Sequence, residues 1–202
     1  MILGLTGCPG SGKSLLAGEL ARYGWILVDA DKIGREVVEH DPVVRRELVR
    51  VFGDDICEPD GRLQRRVLAR RAFSGSEATR KLNGIVHPVL IGRVKEKVQA
   101  LRSSKSNSVL DCALIFEWGI EDLCDKVVCV AADEHIRKER LMLRDRRSDE
   151  EIENLFAAQF SEDEKIRRAD IVIKNNGPIE SIHEYGKMFA HLPGYRDEVK
   201  NS

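Results

Sequence analysis

Five residues of β-type character, Ile2-Leu3-Gly4-Leu5-Thr6, run directly into Gly7-Cys8-Pro9-Gly10-Ser11-Gly12-Lys13-Ser14. The second segment has the pattern G-x-x-x-x-G-K-[ST], which works only between a strand and a helix. Its glycines let the backbone wrap closely, so that successive N–H groups turn inward toward an anion. Lys13 brings a mobile positive charge for the β and γ phosphates, and the Ser14 hydroxyl is a candidate ligand for Mg²⁺. A helix beginning at Lys13 adds the positive end of its dipole. Nucleoside triphosphate binding follows from this segment, and a buried strand feeding a helix points to an α/β fold.

The remaining pattern extends that reading. Further apolar runs rich in β-branched residues lie at Trp25 to Asp29, Ser108 to Phe116, Lys126 to Val130 and Ile171 to Lys174. They are nearly continuous rather than alternating, as expected of strands buried on both faces of a parallel sheet. Segments such as Ser14 to Tyr23 and Val89 to Leu101 carry Leu, Val and Ala at helical spacing among charges. The alternation predicts a three-layer α/β/α fold with a five-stranded parallel sheet. The stretch from Ala30 to Asn107 is too long for one crossover and reads as a helical insertion, interrupted by a turn at Pro59-Asp60-Gly61. A second, strongly charged helical excursion covers Glu134 to Ala169. The expected organisation is one domain over 1–202, with core segments 1–30, 105–133 and 169–195 and two helical excursions, over about 31–104 and about 134–168.

Composition removes several functions. Thirty-three Lys and Arg oppose 34 Asp and Glu, a net charge of −1, so the surface is not a uniform cation for nucleic acid or anionic lipid. No run of about 18 apolar residues is present for a transmembrane helix. The five cysteines form neither a CxxC pair nor a disulfide framework and read as reduced thiols, which fits the cytoplasm. No Asn-Lys pair occurs, so a GTPase's base-reading Asn-Lys-x-Asp segment is absent, and 202 residues are few for a motor or transporter ATPase. A small-molecule kinase is the economical reading; a nucleotide-sensing module that transfers nothing is the alternative from another class. The histidines at 40, 135, 183 and 191 have no carboxylate or cysteine at ligand spacing, so no zinc site is expected.

Ligands of open α/β sheets sit beyond the carboxyl ends of the strands. Asp29 and Asp31 therefore belong to the same end as the phosphate loop. A kinase acting on a hydroxyl needs a carboxylate to accept its proton during in-line transfer, and Asp31 is the choice for that base. Asp29 is either its partner in placing Mg²⁺ or a water, or the cap of the following helix. Arg35, at i, i+4 from Asp31, either grips an anionic acceptor or pairs with the aspartate.

With the phosphate loop, Asp29-Ala30-Asp31 and Arg35 in hand, the sequence resembles the dephospho-coenzyme A kinase family. The similarity continues through Phe52-Gly53, Asp60-Gly61-Arg62-Leu63, Leu82-Asn83, His87-Pro88 and Leu114-Ile115-Phe116-Glu117. It closes with Arg140, Arg144-Asp145, Gln159, Lys165, Ala169-Asp170 and Ile173-Lys174-Asn175-Asn176-Gly177. The resemblance implies a nucleoside-kinase-like core with a helical substrate-binding insertion over about 31–104 and a lid over about 134–168. It also implies ATP-dependent phosphorylation of the ribose 3′-hydroxyl of dephospho-coenzyme A, the last step of coenzyme A synthesis. The implied catalytic groups are Asp31, Lys13 and Arg140. ATP would be held by Gly10, Ser11, Gly12, Lys13, Ser14, Leu15, Arg144 and Asn175, and the acceptor by Asp29, Arg35 and His87. Mg²⁺ would sit on Ser14, with Asp31 a possible second ligand. The implied partners are ATP and dephospho-coenzyme A, without nucleic acid or membrane, the chain acting as a monomer or small homo-oligomer in the cytoplasm. Cys8-Pro9, Gly34 and Ala113 depart from residues usual in such proteins, and none removes a chemical group.

Arg137, Arg140, Arg144 and Arg147 follow three or four apart and would share one helical face. They are either a solvated face or a lid whose arginines neutralise charge on the transferred phosphoryl group. The resemblance favours Arg140 and Arg144 and leaves Arg137 and Arg146 to solvent. His87 either touches the acceptor or caps a helix that Pro88 would start near Val89. Asp111 ends the third run within reach of a Mg²⁺-bound water, and Glu117 either meets substrate or caps a turn.

Overall fold

The computed structural model describes residues 1–104, 106–145, 147–178 and 180–190. Arg146, His191 and the polar tail after Pro193 lie outside the described residues. Five strands, β1 (Ile2–Thr6), β2 (Ile26–Asp29), β3 (Ser108–Asp111), β4 (Lys126–Ala131) and β5 (Ile171–Lys174), form one parallel sheet in the order β2-β3-β1-β4-β5. β1 occupies the centre and is buried throughout, which is why it can be apolar at successive positions. The five-stranded parallel sheet expected from the sequence is present.

The register fixes where chemistry can occur. Leu5 of β1 and Asp29 of β2 both pair with Asp111 of β3, so the carboxyl ends of these three strands are level, while Thr6 pairs with Cys129 and β4 continues past it to Ala131. The chain leaves β1 toward β2 on one side and returns from β3 to β4 on the other. The end of β1 is therefore the switch point where such sheets open a crevice. One face of the sheet is covered by α1 (Lys13–Arg22) and α9 (Glu180–Ala190). Leu3, Leu5, Val128 and Val130 meet Leu16, Leu20, Ile182 and Phe189 there, all nearly inaccessible. Each fully buried leucine contributes about 1.5–3 kcal/mol, so this interface anchors the helix that follows the phosphate loop.

Three expectations need correction. The run Ser108 to Phe116 is a strand only to Asp111; Cys112 to Phe116 turns back, and Ile115 and Phe116 are apolar because the turn is buried. β2 and β5 are edge strands, so Ile26, Leu27 and Val172 remain substantially exposed rather than covered on both faces. Pro88 does not begin a helix. It lies inside α5 (Ser76–Ser103), a single helix of 28 residues, so His87 is a mid-helix residue and not an N-cap.

The described fold separates into two compact units, residues 1–29 with 97–202 and residues 30–96. The second contains α2 (Ala30–His40), α3 (Pro42–Phe52), α4 (Arg65–Ala72) and most of α5. Asp41 caps α3, accepting from the N–H groups of Val43 and Val44 at 3.0 and 3.1 Å, with Pro42 at the first helical position. The Pro59-Asp60-Gly61 turn closes through Gly61 N–H donating to Glu58 O at 2.8 Å. In the first unit, α6 (Glu134–Asp145), α7 (Asp149–Ala157) and α8 (Glu162–Arg168) make up the charged excursion.

Two carboxylates secure the amino ends of strands. Asp125 accepts from Ile2 N–H and Arg102, each at 2.7 Å, and Asp170 accepts from Val127 N–H at 2.7 Å and Lys126 at 2.8 Å. Lys126 and the Val127 N–H hold the Asp170 carboxyl below its usual range. For Asp125 burial pushes upward, but the Ile2 and Arg102 bonds outweigh it and the net shift is also downward. A carboxyl lowered on folding contributes stability above its unfolded pKa, and that contribution is lost as the pH falls through the folded value. The urea midpoint is therefore expected to fall as the pH drops below about 4, and Asp170→Asn to flatten that dependence. An acid profile identical in the variant would contradict the assignment.

Candidate active site

The phosphate loop is shaped by two glycines. Gly10 and Gly12 have φ of 82° and 97°, a region that other residues enter only under strain. A Cβ on Gly10 would lie 2.6 Å from the Arg137 carbonyl oxygen, and one on Gly12 would lie 2.3 Å from Asn175 Nδ2. Gly12 is the N-cap of α1, without a side-chain cap, so the positive end of that helix's dipole adjoins the loop. Cys8 is buried within the loop, and burial pushes its thiol pKa up. It therefore adds no negative charge beside a phosphate.

Lys13 is tied to the Asp111 carboxylate by a short ion pair, with both side chains largely buried. Ser14 and Leu15 follow in the first turn of α1 and are exposed. Asp29 closes β2, opposite Asp111 in the register. Two carboxylates and one ammonium thus gather at the level carboxyl ends of the strands, beside a loop built for phosphate. Asp111 was recognisable as a strand end; its pairing with Lys13 bridges 98 residues of sequence and has no local signature.

Asn175, just past β5, is almost completely buried, and its Nδ2 donates to Ser11 O at 2.7 Å. This residue, expected among those that hold ATP, bonds the backbone of the loop itself. Its Oδ1 and the Ser11 hydroxyl are both buried without a protein partner. Asn175→Ala is expected to weaken ATP binding by about three- to tenfold, because the Ser11 carbonyl loses its donor. Calorimetric titration would read this, and an unchanged affinity would contradict it.

The arginines of α6 divide differently from the sequence expectation. Arg137 is buried rather than solvated. Its guanidinium donates to Ala132 O at 2.8 Å, lies 3.3 Å from Glu162 and stacks 4.5 Å above the Phe156 ring. Burial pushes the Glu162 carboxyl pKa up, partly opposed by the Ala132 N–H and Arg137. Arg140 donates to Gly10 O and Gly177 O, each at 3.3 Å, which brings it to the loop. Arg144 is exposed and paired with neighbouring Asp145 at 2.7 and 2.8 Å. Arg147 lies beyond α6, so the expected shared face ends at Arg144. Glu117 accepts from Lys165 at 2.6 Å and from Phe160 N–H at 2.9 Å, a buried contact with no signal in the sequence.

Asp31, Arg35 and His87 belong to the second unit. Asp31 and Arg35 are exposed one turn apart on α2, and Asp31 lies in the helix's first turn. His87 is half-buried in α5, and burial holds its imidazole pKa below the ordinary range. At neutral pH it is accordingly an uncharged hydrogen-bonding group.

The dephospho-CoA kinase family profile matches residues 1–181, nearly the whole described chain. The chain belongs to the dephospho-CoA kinase family. A dephospho-CoA kinase of Fusobacterium nucleatum is 37% identical over 192 residues, covering 94% of this chain and 97% of that protein. One from Moorella thermoacetica is 40% identical over 182 residues, covering 89% and 86%. A crystal structure from Thermus thermophilus superimposes with a TM-score of 0.75 at 34% identity, over 95% of this chain and 97% of that one. Membership makes the chain a kinase, and its phosphate loop and level strand ends are the parts that such chemistry requires.

Proposed function

We propose that this kinase transfers the γ-phosphoryl group of ATP to the ribose 3′-hydroxyl of dephospho-coenzyme A, giving coenzyme A and ADP. The observation that carries the reading is the loop itself: Gly10 and Gly12 in conformations that open the backbone to an anion, with Lys13 beside it, in a chain of this family. In this reading the loop N–H groups and the α1 terminus hold the β and γ phosphates. Lys13 exchanges its Asp111 contact for the phosphates and offsets their charge. Asp31 accepts the 3′-hydroxyl proton as that oxygen bonds to γ-phosphorus and the bridging oxygen leaves with ADP. Arg140, already at the loop, neutralises charge on the transferred group, with Arg144 released from Asp145 to assist.

Mg²⁺ fits this donor set. No cluster of three or more His, Cys, Asp or Glu side chains poised for a metal exists among the described residues. A nucleotide-borne Mg²⁺ does not require one, because phosphate oxygens and waters fill most of its shell. Ser14 and Asp111 supply hard oxygens at the loop, and Asp31 remains a further candidate. When bound, the ion withdraws charge from the phosphates.

We assign Asp29, Arg35 and His87 to the acceptor, residues 30–96 to its binding region and α6–α8 to a lid. The protein acts in this reading as a monomer or small homo-oligomer in the cytoplasm. Among the described residues no helix is long and apolar enough to cross a membrane. The direct test is product analysis: dephospho-coenzyme A incubated with ATP and enzyme should gain one phosphoryl group as a 3′-phosphomonoester in its phosphorus NMR spectrum. Phosphate on another position, or none, would overturn the proposal.

A further inference from the structure

One backbone carbonyl beneath the phosphate loop serves two separate parts of the first unit. Ala113 O, in the turn after β3, accepts from Thr6 Oγ1 at 2.9 Å and from Lys165 Nζ at 2.6 Å. Thr6 is the last residue of β1, immediately before Gly7, and is fully buried. Lys165 belongs to α8 and is also completely inaccessible, its ammonium 2.6 Å from Glu117 Oε1. The same Glu117 oxygen accepts the Phe160 N–H, and the Phe160 carbonyl lies 3.8 Å from Cys8 Sγ inside the loop. The contacts run as a ring from Thr6 through Ala113, Lys165, Glu117 and Phe160 to Cys8, beginning and ending at the loop.

Burying an ammonium and a carboxylate is a poor route to stability alone, since well-packed apolar residues often serve as well or better. What the pair supplies is direction. It aims three donors at two acceptors and fixes the turn after β3 against α8, while Thr6 carries that turn's position to the loop. We propose that Lys165 and Glu117 are positioning residues for nucleotide, setting the phosphate loop through Ala113 O and Thr6. The proposal rests on the reading of the loop as the ATP site and is independent of the acceptor's identity.

The test uses binding of a non-hydrolysable ATP analogue with Mg²⁺, measured by calorimetry without acceptor. Failure of dephospho-coenzyme A as a substrate would therefore leave its outcome readable. Replacing both partners, Lys165→Met with Glu117→Leu, avoids leaving one buried charge unpaired. This double variant should melt near the wild-type temperature yet bind the analogue about tenfold more weakly. Thr6→Val, nearly isosteric but without the donor, should weaken binding about three- to tenfold, and Thr6→Ser should restore it. Joining Thr6→Val to the double variant should add little, because all three act through one carbonyl. Wild-type affinity in the folded double variant, or losses that simply multiply in the combination, would overturn the proposal. Thr6→Val leaves the ion pair intact, so unchanged affinity there overturns it even if the double variant does not fold.

Discussion

Asp31→Ala is expected to lower turnover by about 10²-fold or more while ATP affinity stays near wild type. The reason lies in the role proposed for the carboxylate. Phosphoryl transfer asks the protein mainly for placement and charge neutralisation, but a ribose hydroxyl must also shed its proton as it attacks. The phosphate loop has no carboxylate for that step, its groups being N–H donors, two hydroxyls, a thiol and a cation. Asp31, exposed in the first turn of α2, is a group able to accept the proton. Steady-state rates at saturating ATP, beside calorimetric ATP binding, separate the two effects. Near-wild-type turnover would move the base elsewhere, with Asp29 next in line; parallel loss of binding and rate would indicate a structural or metal-holding role.

Lys13→Ala carries the second large effect, and it should strike both binding and rate. The ammonium is mostly buried and offsets Asp111, so its removal leaves a carboxylate beside incoming phosphates. Loss of one preorganised electrostatic group of this kind costs about 10²–10³ in turnover. ATP affinity should fall as well, through lost attraction and new repulsion. The pairing allows a sharper check, because Asp111→Asn in the same chain removes the repulsion without restoring the cation. That double variant should regain part of the ATP affinity and none of the rate. Full recovery of turnover would contradict the role given to Lys13.

The phosphate loop and the sheet were legible from sequence because their causes are local. A glycine pattern dictates backbone conformation at Gly10 and Gly12, and a continuous apolar run announces β1 or β4. Where the sequence misled, the deciding partner lay far along the chain. Ile115 and Phe116 look like strand because burial in a turn asks for the same residues as burial in a sheet. Pro88 looks like a helix start, yet α5 continues through it over 28 residues. Arg137 shares its spacing with Arg140, but Glu162 and Phe156 fold over one and the loop carbonyls receive the other. The bond from Asn175 to Ser11 O joins residues 164 apart and has no local signature. Lys165 and Glu117 give no sign of each other across 48 residues.

The most direct measurement is ADP release at fixed ATP and Mg²⁺, with dephospho-coenzyme A assayed beside a panel of nucleoside monophosphates and simple sugars. The expected result is turnover with dephospho-coenzyme A and only background release with the others. Release driven by a nucleoside monophosphate or a sugar, with dephospho-coenzyme A inert, would contradict the proposed activity.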